Sequence, residues 1–251
     1  AELSGAKKVR REPAEAAELP RVLKDAVIAA EDKRFYGHWG VDPRAVLRSA
    51  WHDVRGGEVL HGGSTITQQL VKNLFLTPRR TLRRKLAEAA LSFYLELRYS
   101  KERILTLYLN HIYMGQDGPV GVAGVKAAAR FYFGKDLGKL SLGECAMLAG
   151  LISSPYRFNP RRDLAAARER RDFVLRRMKE EGMIAQAQLA RALAEPLETV
   201  WQSRPAGVRG HDYFVAETVR DILPRYGEEL LFRHGLSVYT TMDPILQAAR
   251  K

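Results

Sequence analysis

The chain is 251 residues long and 46% hydrophobic, enough for one large buried core or one core with an extension. Its 41 Lys and Arg residues against 29 Asp and Glu give a net charge of +12, which calls for an anionic partner such as nucleic acid, anionic lipid or a phosphorylated substrate. The single cysteine, Cys145, excludes an intrachain disulfide and any cysteine-rich metal site, and no run of about 18 apolar residues is present to cross a membrane as a helix.

No signal peptide opens the chain, and a start among charged, Ala-rich residues is the one expected of a domain cut from a longer protein. Residues 1–18 carry mixed charge without an apolar period and read as a linker or loosely held arm. A helix is expected from Leu19 to Ala30, with Leu23 and Val27 four apart, and Glu31 takes the next place on that apolar ridge. Gly37 and Gly40 follow, so Glu31 also falls at a helix C-terminus. Desolvation and the negative end of the helix dipole both raise a carboxyl pKa toward the range useful to a general acid or base. The alternative is a helix-ending glutamate paired with Lys33 or Arg34.

Asp42 and Pro43 supply a cap and a first-turn proline for a short basic segment to about Val54, in which Val46, Leu47, Ala50, Trp51 and Val54 recur at helical spacing. That segment suits either a membrane surface or a protein core. Gly56-Gly57 and Gly62-Gly63 bracket a loop expected to be mobile. Next comes Ser64-Thr65-Ile66-Thr67-Gln68-Gln69-Leu70-Val71-Lys72-Asn73, where Thr65 and Gln68 have capping-box spacing and Ile66, Leu70 and Leu74 form a ridge expected to be buried. The remaining polar groups of this stretch suit a polar ligand.

Thr77-Pro78 opens a long helix with Leu82, Leu86, Ala89, Phe93 and Leu97 as its expected core stripe. Arg80, Arg84 and Glu88 lie four apart on the other side, flanked by Arg83 and Lys85. This is either a solvated face or a grip for phosphate oxygens. Further helices are expected from Ser100 to Asn110, from the Gly-rich stretch to Gly134, from Ser141 to Ile152, from Asp163 to Gly182 and over residues 185–194. Almost no strand signal precedes residue 200, so this part is mainly α. Beyond Arg204-Pro205 a helix over about 212–223 and an alternating strand at 236–241 read as a short α/β segment beginning a further unit.

Five groups of residues then stand in order: Glu31-Asp32-x-x-Phe35-x-x-His38-x-Gly40, Gly63-Ser64-Thr65-Ile66-Thr67-Gln68-Gln69-x-x-Lys72-Asn73, Arg84-Lys85-x-x-Glu88, Lys101-x-x-Ile104-x-x-x-Tyr108-Leu109-Asn110 and Arg170-Arg171-x-x-Val174-Leu175. Together they resemble the motifs of the peptidoglycan glycosyltransferases, the polymerase domains of class A penicillin-binding proteins and of monofunctional transglycosylases. The tail from Gly235 to Asp243 is similar to the start of a class A transpeptidase domain. After the arm at 1–18, the resemblance implies a lysozyme-like helical glycosyltransferase domain at 19–204 and the truncated start of a transpeptidase region at 205–251.

The implied substrates are lipid II and the growing lipid-linked glycan chain, at the extracytoplasmic face of the plasma membrane. The implied inhibitor is moenomycin, and nucleic acid is not an expected partner. By the same resemblance Glu31 is the catalytic base. Ser64, Gln68, Gln69, Lys72, Arg80, Arg84 and Lys85 bind sugar or pyrophosphate oxygens, and Val46, Leu47, Trp51 and Val54 face the membrane. Glu88 matches the family's second glutamate, with a supporting role left open between holding cations, binding a metal and tuning the acceptor site. No cofactor is required; a divalent cation (Mg or Mn) is expected at most to stimulate. The sole S-x-x-K, Ser4 to Lys7, lacks its partner motifs, so no transpeptidase activity is expected of this chain. Two rivals remain: a lysozyme-like peptidoglycan hydrolase, which has no use for a cluster of pyrophosphate-binding cations, and a basic nucleic-acid-binding helical protein, supported by charge alone.

Overall fold

The structure is a computed structural model that describes residues 9–47, 63–76, 81–117, 120–199 and 221–222. Almost all of them belong to one compact unit, Val9–Val200. Arg80, Trp51, Val54, the Gly56–Gly62 loop and nearly all of 205–251 lie outside the described residues.

The described unit is mostly helical, as the sequence leads one to expect. Its helices are α1 (Arg21–Glu31), α2 (Ile66–Phe75), α3 (Leu82–Arg98), α4 (Lys101–His111), α5 (Val125–Phe133), α6 (Leu142–Leu151), α7 (Leu164–Glu180) and α8 (Gln186–Ala194). Residues 43–47 are also helical. Side-chain caps set several starts: Thr65 and Gln68 form the expected box on α2, Ser141 and Glu144 that on α6, and Asp163 accepts from the Ala166 amide on α7.

Helix α6 is the axis of the core. Apart from the capping Glu144 its sequence is apolar all round, and every residue from Gly143 to Leu151 is buried, the behaviour of a helix enclosed on all sides. Helices α1 and α7 pack on it and on each other. Gly150 allows the closest approach: a Cβ there would stand 2.9 Å from Cγ of Arg170 on α7. A second group forms where α2 packs on α3 and α4.

Three differences from the sequence reading stand out. Residues 9–18 are not a loose arm: β1 (Val9–Arg11) pairs in parallel with β3 (Val120–Ala123), which pairs antiparallel with β2 (Tyr113–Asp117). Asn110 clamps the same segment, donating to the Ala14 carbonyl at 2.9 Å and accepting from the Ala14 amide at 2.8 Å. Leu74 closes no buried ridge; it is exposed, while Ile66 and Leu70 are fully buried.

The largest difference is α3, which is turned over. Leu82 is 86% exposed and Leu86 73%, and Phe93 and Leu97 are exposed with them; Glu88, Ser92 and Leu95 face inward instead. The inner face is polar because α2 offers polar partners. Thr67 donates to Glu96 at 2.7 Å, Lys85 donates to Ser64 at 2.9 Å, and the Ser92 hydroxyl turns back onto the Glu88 carbonyl at 2.6 Å.

Candidate active site

The last residue of α1 is Glu31, and the chain after it is committed to structure almost residue by residue. Asp32 is buried, accepts the Ile66 amide at 3.0 Å at the start of α2, and meets His38 Nε2 at 2.9 Å. Phe35 lies fully buried with the Lys101 ammonium 4.5 Å from its ring centre, and Lys101 donates to the His38 carbonyl and to Glu96. Gly40, at φ +76°, is the junction: its carbonyl accepts from the Thr65 hydroxyl at 2.6 Å, and a Cβ would meet the Ser92 backbone at 2.7 Å. Only a glycine lets this loop touch both α2 and α3.

Glu31 itself is left out of that scaffold. The cations next to it in sequence are engaged elsewhere, Lys33 with Glu181 at 2.9 Å and Arg34 with Asp42. The paired-glutamate alternative therefore falls. Its Oε2 accepts one hydrogen bond, from Gln69 Nε2 at 2.8 Å. Burial pushes the Glu31 carboxyl above the usual range; the Gln69 amide and the charge of Arg170 pull part of the way back, the Asp32 charge adds to the rise, and Arg177 opposes it. Arg170, on α7, is itself lowered by burial, and its Nε has no hydrogen-bond partner among the described residues.

Glu88 is a carboxylate of a different kind. It is 2% exposed, with Arg84 at 3.3 Å on one oxygen and Lys85 on the other. Lys85 also reaches Ser64, immediately before the α2 cap, and Arg84 keeps a buried Nε without a partner among the described residues. Both Glu88 oxygens face cations, and among the described residues no group of three His, Cys, Asp or Glu is placed to hold a metal ion. The site as built does not fit a divalent metal on Glu88.

Helix α2 joins the two carboxylates. Ser64 at its start belongs to the Glu88 cluster and Gln69, about a turn and a half on, belongs to Glu31, which puts the anchoring points within about 10 Å. Of the other expected site residues, Gln68 is buried and accepts the Thr65 amide at 3.1 Å, a capping role. Lys72 is exposed on α2, and Val46 and Leu47 are exposed in the segment after Asp42. Arg170 and Tyr108 stand in the sequence motifs without a role of their own, and the fold brings both to Glu31 and its amide partner. For Tyr108 the sequence carries a signal: a phenol on the Ile104–Leu105–Leu109 stripe must find a buried acceptor.

A family model described as Transglycosylase matches residues 1–179. The chain belongs to the transglycosylase family, the peptidoglycan glycosyltransferases. Similar relatives are penicillin-binding protein 1A of Aquifex aeolicus, 42% identical over 90% of this chain and 30% of the relative, and penicillin-binding protein 1B of Vibrio cholerae, 39% identical over 92% and 30%. Among solved structures, penicillin-binding protein 1A from Haemophilus influenzae matches 90% of this chain and 23% of its own, at 27% identity and a TM-score of 0.48. The chain thus spans about 30% of the length of these curated relatives, and the match is to their transglycosylase region.

Proposed function

We propose that this chain polymerises lipid II into β-1,4-linked glycan strands at the extracytoplasmic face of the plasma membrane. The 4-hydroxyl of an acceptor N-acetylglucosamine attacks the anomeric carbon of the lipid-linked donor chain. As the new C–O bond forms, the bond to undecaprenyl pyrophosphate breaks and the pyrophosphate leaves with the electron pair. Glu31 takes the hydroxyl proton, and the α-linked donor becomes a β-linked product, an inversion that needs one base and no covalent nucleophile. The cations Arg84 and Lys85, fixed by Glu88 and Ser64, meet the charge that develops on the pyrophosphate. No step is assigned to a metal ion.

The observation that carries this reading is the pairing across α2 of a carboxyl with a raised pKa and a partly exposed cation pair anchored on the buried Glu88. A hydrolase would want the first and have no use for the second. Contact with lipid is supported by the outward stripe of α3 and by Leu47, 70% exposed. No helix among the described residues is long and apolar enough to cross a membrane.

The test is a lipid II polymerisation assay with wild type and Glu31→Gln, with and without moenomycin, alongside digestion of purified sacculi. Moenomycin-sensitive glycan strands from wild type and none from Glu31→Gln are expected. Soluble muropeptides from sacculi without polymer would favour the hydrolase instead.

A further inference from the structure

The tyrosine that faces the site from α4 has a use beyond packing. Tyr108 is fully buried among Ile104, Leu105 and Leu109, and its hydroxyl donates to Gln69 Oε1 at 2.8 Å. Gln69 Nε2 in turn donates to Glu31 Oε2 at 2.8 Å. A side-chain amide carries an acceptor and a donor at almost the same place, and its two orientations differ only in what they meet. Against an ionised Glu31 only one orientation works, with the NH2 toward the carboxylate. The carbonyl then points at Tyr108, which must donate. Turned round, the amide would set its carbonyl oxygen against a carboxylate oxygen and aim its NH2 at the phenol, which would then accept and be left with a buried hydroxyl proton that has no acceptor.

We infer that Tyr108 is a positioning residue for the base: its hydroxyl fixes the orientation of the Gln69 amide, so that Glu31 Oε2 is always met by a donor and Oε1 is the oxygen that takes the acceptor's proton. This rests on Glu31 being the base proposed above. Among the described residues Oε1 accepts no hydrogen bond. Burial, together with the charges of Glu31 and Asp32, pushes the Tyr108 pKa well above its usual value, so the phenol keeps the proton it donates. The charged groups that face Glu31 are Asp32 at the end of α1 and Arg170 and Arg177 on α7; the neutral Gln69 and Tyr108 come from α2 and α4. Removing the phenol oxygen changes none of the charges. Any change in the titration of Glu31 then comes through the amide.

The experiment measures polymerisation rate against pH, in detergent, for wild type, Tyr108→Phe, Gln69→Met, the double variant and Glu31→Gln. A donor held on the carboxylate favours the charged form, so releasing it raises the pKa of the base. Tyr108→Phe should move the acid limb of the rate profile to higher pH by about half a unit to one unit. It should lower kcat by roughly 3–10-fold with KM for lipid II unchanged. Gln69→Met should move the limb the same way and at least as far, and the double variant no further than Gln69→Met, since the tyrosine acts only through the amide. An acid limb in Tyr108→Phe that superimposes on wild type, or two shifts that add in the double variant, would overturn the inference. If Tyr108→Phe does not fold, fluorotyrosine at position 108 keeps the hydroxyl as a stronger donor and should move the limb to lower pH; an unmoved limb overturns it equally. An active Glu31→Gln defeats the base assignment itself, whereas an inactive Glu31→Gln with an unmoved Tyr108→Phe limb defeats only the role of Tyr108.

Discussion

Two glutamates stand on either side of α2, and their surroundings are opposite in kind. Glu31 meets one neutral amide and has a raised pKa, with its nearest cation acting through space; Glu88 has a cation on each oxygen. A carboxylate held by cations serves as a counter-ion, and it keeps two basic side chains in place when no anionic ligand is bound. A carboxylate held by an amide is kept in position while its affinity for a proton stays high. The pair teaches that burial alone does not make a base: both are buried or partly so, and the identity of the donor decides the role.

That contrast can be broken by exchanging what each carboxylate can do. The largest effect is expected from Glu31→Gln, which keeps an acceptor for Gln69 but removes the basic oxygen: polymerisation in detergent should fall by about 10²–10⁴-fold with lipid II binding retained. Comparable turnover in this variant would end the distinction between the two sites. On the reverse side of α3, Leu82→Asn with Leu86→Asn should weaken binding to anionic liposomes roughly 100-fold, each side chain contributing as a Leu moved from water to lipid. Because both are exposed, thermal stability should hardly change; a large fall in Tm would make the stripe a packing surface after all.

Glu88→Gln should be milder toward chemistry and harder on the fold. Arg84 and Lys85 lose their counter-ion, which costs about 2 kcal/mol, less than the ~3–5 of a fully buried pair because Lys85 is half-exposed. Turnover should drop on the order of 10-fold through weaker donor binding, so kcat/KM measured with limiting lipid II is the readout. The smallest effect is on stability against pH. The fold raises the pKa of Glu31 above its unfolded value, so its neutral form is favoured in the folded chain. That contribution is full below the unfolded carboxyl range and is lost as pH rises through the raised value. Glu31→Gln should therefore melt a few degrees above wild type at neutral pH, and the two curves should converge near and below about pH 4. A difference that does not depend on pH would deny Glu31 its raised pKa.

Much of the site is legible in the sequence. The Leu23–Val27–Glu31 ridge puts a carboxylate where hydrocarbon belongs, and the Thr65–Gln68 and Ser141–Glu144 boxes mark the helix starts found in the structure. These features are local: a cap or a helical period is written in residues three or four apart. The polar run of α2 suggests that Gln69 is aimed at substrate, yet its amide is shared between Glu31 and Tyr108, residues 38 and 39 positions away. Gln68, expected to share that task, completes the cap.

What the sequence by itself determined about this protein is its mainly-α character, the position of most helices, and a glutamate out of place at a helix end. Only the tertiary structure decided which stripe of α3 turns inward, that Val9–Arg11 join a sheet, that Lys33 and Arg34 leave Glu31 alone, and that Lys85 on Glu88 is tied to Ser64 before α2. Periodicity defines two faces of a helix but carries no sign. The partners across the interface choose between them, and on α3 the hydroxyls of Ser64 and Thr67 chose the polar one.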